Sequence, residues 1–109
     1  MAWLHLVSWF FGGAFLANAV PHFVSGVRGE PFQTPFAKPP GKGLSSSTVN
    51  VLWGLLNLAV GYALLCHVGD FRMKDTVDAL AVGIGVLAIS LPSARHFGRL
   101  HGGHAPNRP

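Results

Sequence analysis

Three stretches of this chain constrain everything else: Trp3–Val20, Val49–Cys66 and Val77–Leu91 are almost wholly apolar, and Asp78 is the one charged residue among them. The first two hold 18 residues each. At about 1.5 Å per helical residue that is roughly 27 Å, close to the ~30 Å of hydrocarbon in a bilayer. Pro21 closes the first run. The cap-rich Ser45-Ser46-Ser47-Thr48 opens the second, and Asp75-Thr76 opens the third. The third run is shorter and needs Ser90, Pro92 and Ser93 to finish a crossing.

Only 11% of the 109 residues are charged, against about 25% in soluble domains. That composition does not suit a water-facing surface. The sequence therefore predicts an all-α integral membrane protein, a single domain over 1–109. Three transmembrane helices, at about 3–22, 48–67 and 76–95, would form a small bundle. A long Pro/Phe-rich loop (about 23–47) would join the first two, and a short basic tail (about 96–109) would end the chain. A cleaved leader is the rival for the first run, because Ala17-Asn18-Ala19 has a small-x-small pattern; the lack of Lys or Arg ahead of the run opposes it.

The basic residues give an orientation. With three spans, Arg28, Lys38, Lys42, Arg95, Arg99 and Arg108 share one side, and only Arg72 and Lys74 lie on the other, beside Asp70, Asp75 and Asp78. The positive-inside rule then predicts a plasma or bacterial-type inner membrane protein with its N-terminus outside and its C-terminus in the cytoplasm. No basic stripe with interleaved aromatics exists to hold nucleic acid. A single cysteine, Cys66, leaves no intramolecular disulfide.

Helices in lipid associate through small and polar residues rather than through greasy ones. In the second span Asn50, Gly54, Asn57 and Gly61 recur on one face. The third offers Ala81 and Gly85, and the first Gly12, Gly13, Asn18 and His22. Amides should not face hydrocarbon, where a polar group without a partner costs several kcal/mol. The seam Asn18, His22, Asn50 and Asn57 is therefore predicted to form a polar cluster between spans one and two. Part of these faces is expected to meet other membrane subunits or copies of the chain.

Six histidines invite a ligand. His22 and His96 fall near one membrane face, as axial ligands of haem b would, and His96, His101 and His104 flank Gly102-Gly103 as a metal clip could. Helix-end histidines also bond free carbonyls, and no cofactor is predicted on balance. In the first connection Phe32, Pro35, Phe36, Pro39 and Pro40 repeat a Pro-Phe theme. Prolines stiffen such a segment and rings give it something to bury, so it is expected to lie on the membrane interface, to fold back over the bundle, or to dock on a partner.

Pro39-Pro40-Gly41-Lys42-Gly43 fails the phosphate-loop pattern, with Phe36 and Gly43 where glycine and Ser/Thr belong. No Ser-His-acid set or buried carboxylate pair stands out. The expectation is a non-enzymatic membrane subunit, accessory or structural in a larger complex or a homo-oligomer. The alternatives are a small oligomeric channel or transporter, and a haem- or quinone-binding electron-transfer subunit.

Overall fold

A computed structural model describes residues 2–107, and these are mostly helical. Helix α1 spans Ala2–Val27, α2 Ser47–Cys66 and α3 Thr76–His101. All three are long and apolar enough to cross a membrane.

Two ends differ from the expectation. Helix α1 runs straight through Pro21 for almost two more turns, since proline removes one backbone bond but its fixed φ is helical. The true stop is Gly29, at φ +73. Its N–H bonds the Gly26 carbonyl, and the Glu30 N–H reaches back to the Ser25 carbonyl at 2.9 Å. That pair of bonds around a left-handed glycine is the Schellman ending. Likewise α3 continues through Pro92 and stops only at Gly102, φ 84. Residues 96–101, expected in the tail, are helix.

The expected long loop between the first two helices is therefore a correction. With α1 ending at Val27 and α2 starting at Ser47, residues 28–46 remain, and they are folded. Strand β1 (Phe32–Gln33) pairs antiparallel with β2 (Leu44–Ser45), Phe32 opposite Ser45. Between them Gly41 N–H bonds the Thr34 carbonyl, while Lys42 and Gly43 N–H bond the Pro39 carbonyl. This closed segment is called the cap below.

Both other helix starts are capped by side chains. Ser46 Oγ accepts from Val49 N–H, and Asp75 Oδ1 accepts from Val77 N–H. Helix α1 is the central element and packs on both α2 and α3. The result is a flattened body of 49 × 30 × 22 Å.

Glycine allows the close approaches. A methyl group on Gly13 would run into the Val82 carbonyl, and one on Gly85 into the Phe10 carbonyl, so α1 and α3 meet backbone to backbone there. On the other side Gly54 lies against Phe23, and Gly61 against Leu16 and the Gly12 carbonyl. Away from these contacts Leu52, Leu55, Leu56, Leu80, Ile84 and Leu87 face outward. At the end opposite the cap, Ser8 Oγ donates to the Leu64 carbonyl and Trp9 Nε1 to the Val68 carbonyl. Trp9 is thus a buried packing residue, wedged against Phe71, rather than an exposed anchor.

Candidate functional site

The polar residues singled out in α1 and α2 lie side by side. Asn18 Nδ2 donates to Asn57 Oδ1 at 3.0 Å, and Asn57 Nδ2 donates within its own helix to the Trp53 carbonyl at 2.8 Å. One turn nearer the cap, His22 Nδ1 and Asn50 Oδ1 are 2.9 Å apart. Asn50 Nδ2 donates to three carbonyls, those of Phe32, Ser45 and Ser46, at 3.0–3.2 Å. Those acceptors fix the Asn50 amide, so its Oδ1 accepts and His22 Nδ1 carries the proton. Asn50 is 0% exposed, Asn57 1% and His22 3%. Gly54, between the two amides of α2, and Gly61, one turn beyond Asn57, let α1 come close enough for these bonds. Gly85 does the same for α3, while Ala81 lines a shallow apolar depression with Phe10.

Asn50 also ties the seam to the cap. The cap is held again from α3, where His96 Nε2 donates to the Gly41 carbonyl at 2.6 Å and His101 Nε2 meets Gln33 Oε1 at 2.7 Å. Phe32 is seated among His22, Phe97 and His101, with ring centroids 4.8–5.4 Å away. Phe36 stands edge-on to Trp53 at 4.8 Å yet is 62% exposed. Pro35 and Pro40 line the space under the cap, and Pro39 supplies the carbonyl that closes its tight turn.

Gln33, Thr34 and His101 belong to this site and were not among the expected seam or loop residues. Thr34 is almost fully buried, and its Oγ1 pairs with Ser45 Oγ. The available signal was local: Gln33-Thr34 is a polar pair set between Phe32 and Phe36.

Two cavities adjoin the site. A chamber of about 390 Å³ under the cap is lined by Asn18, His22, Gln33, Thr34 and Trp53 among others. A cleft of about 790 Å³ lies between α1 and the second half of α3, lined chiefly by carbon from Leu16, Val20, Val86 and Ile89. Asn18 and Phe97 border both. Trp53 Nε1 is buried with no hydrogen-bond partner among the described residues.

His22 and His96, the pair considered for haem, differ in which ring nitrogen is engaged. The Nε2 of His96, the nitrogen that would bind iron, is engaged by Gly41, whereas His22 is held through Nδ1 and keeps its Nε2. His101 is turned to Gln33 rather than toward His104. Among the described residues no three His, Cys, Asp or Glu side chains converge as a metal site.

Comparison of the chain with family models, with curated proteins and with solved structures returns no match.

Proposed function

We propose that this chain is a non-enzymatic integral membrane subunit that works through contact, with its N-terminus outside and its C-terminus in the cytoplasm. The observation that supports it is the cap. A segment of 19 residues (28–46) with three prolines between residues 35 and 40 is locked by Asn50, His96 and His101 into one shape. That shape leaves Phe36 and Leu44 exposed, with Lys38 and Lys42 between them in sequence. Pre-ordering a surface lowers the entropy lost when a partner binds it. An apolar pair with two lysines between its members suits another membrane subunit, or a second copy, at the headgroup level.

Purification in mild detergent with mass measurement by light scattering tests this. The expected result is a complex, either with a larger membrane protein at fixed ratio or with itself, which the double variant Phe36→Ala, Lys38→Ser weakens without changing helix content. A wild-type chain that elutes alone as a monomer overturns the proposal. For the orientation, a C-terminal fluorescent-protein fusion is expected to glow, whereas a C-terminal alkaline phosphatase fusion stays inactive; the reverse pair sinks it.

A further inference from the structure

The chamber and the cleft together have the form of a site for one amphipathic molecule. The cleft lies beside the second halves of α1 and α3 and is walled chiefly by carbon. In a bilayer its open side would face the acyl chains. The chamber next to it adds the polar side chains of Asn18, His22, Gln33 and Thr34 to a lining that is otherwise mostly carbon, and Asn18 and Phe97 border both cavities. Both volumes lie in the range of about 300–1,000 Å³ usual for small-molecule sites.

The groups left over in the chamber define the head that would suit it. With Nδ1 donating to Asn50, His22 has only Nε2 to offer, as an acceptor. Asn18 uses one N–H on Asn57 and keeps its second N–H and its carbonyl oxygen. Trp53 also lines the chamber, but its Nε1–H is buried and is not offered to it. The site therefore offers donors and acceptors together. Among the described residues no Lys, Arg, Asp or Glu lines either cavity, so a phosphate, carboxylate or ammonium would enter without a counter-charge from them, at high cost.

We propose that this is a binding site for a single-chain lipid with a small uncharged head that carries hydroxyls beside an ester, of the monoacylglycerol class. The head occupies the chamber and the chain lies in the cleft along Val20 and Ile89. This site is independent of whether the cap docks on a partner, since the two use different surfaces.

The test uses the full chain in phosphatidylcholine nanodiscs with a monoacylglycerol that bears a diazirine at mid-chain. After illumination, mass spectrometry should place the label on residues 16–21 and 86–94. Unlabelled mono-olein should compete, and methyl oleate, which accepts hydrogen bonds but donates none, should compete roughly tenfold less well. Ser93→Phe, which fills the cleft away from the seam, should abolish the competable label while circular dichroism stays unchanged. Label spread evenly over outward leucines such as Leu52 and Leu87, or equal competition by methyl oleate, overturns the proposal. The competition needs no variant, so it decides the matter even where Ser93→Phe fails to fold.

Discussion

Asn50 makes more hydrogen bonds than any other side chain in the structure, to groups from α1, the cap and its own helix start. Removing it leaves His22 Nδ1 and the Phe32 carbonyl without partners in a buried place. Asn57 joins only Asn18 to its own helix. Groups left unsatisfied inside a protein cost about 1–3 kcal/mol each. Asn50→Leu is therefore expected to destabilise by about 3 kcal/mol or more and Asn57→Leu by about half of that. Unfolding in mixed micelles with rising dodecyl sulfate measures both. Equal losses would show that the cap draws nothing from Asn50. These amides were legible in the sequence because they recur on one face of an apolar helix, where chance polar residues are rare. His101 and Gln33 were not, because a helix end and an irregular segment carry no period by which two residues 68 positions apart could be matched.

Helices and cap respond to different substitutions. Gly85 and Gly83 are two residues apart in α3, yet a methyl on Gly85 meets the α1 backbone and one on Gly83 meets nothing. Gly85→Ala is expected to part α1 from α3 and cost about 1–3 kcal/mol. Gly83→Ala should be neutral or stabilise by up to about 1 kcal/mol, because alanine is the better helix former. Opposite signs in the same micelle titration are the expected outcome; two equal losses would refute the packing described. For the cap, the double variant His96→Ala, His101→Ala removes both links to α3. Amide exchange over residues 32–45 should speed up roughly tenfold while the centres of α1 and α2 keep their protection. Exchange that stays slow would mean that Asn50 and the strand pair suffice.

The helix ends show why sequence and structure part at this level. At position 21 the sequence reads proline as punctuation, but a helix already packed on its neighbour carries it for the loss of one bond. The glycines that do end α1 and α3, Gly29 and Gly102, do so because the chain enters the left-handed region there. Apolar length alone located all three helices to within a few residues, except at the ends of α1 and α3 nearest the cap. Those ends lie outside the apolar cores and are held by tertiary contacts.

At the scale of the whole molecule, each helix carries a stripe of small or polar residues, and nothing in the stripes says which helix stands in the middle. Packing decides it: α1 has glycine on both sides, Gly12 toward α2 and Gly13 toward α3, and so accepts two neighbours. This central place of α1 bears on how the chain is made. The helix that leaves the ribosome first is the one against which the other two are laid. The amides of α2 need never wait in lipid, because Asn18 and His22 have already been synthesised when Asn50 and Asn57 emerge. A nascent chain halted after residue 75 is thus expected to hold α1 and α2 together as a hairpin, detectable by crosslinking. Then α3 arrives last, docks through Gly85, and brings the two histidines that latch the cap shut.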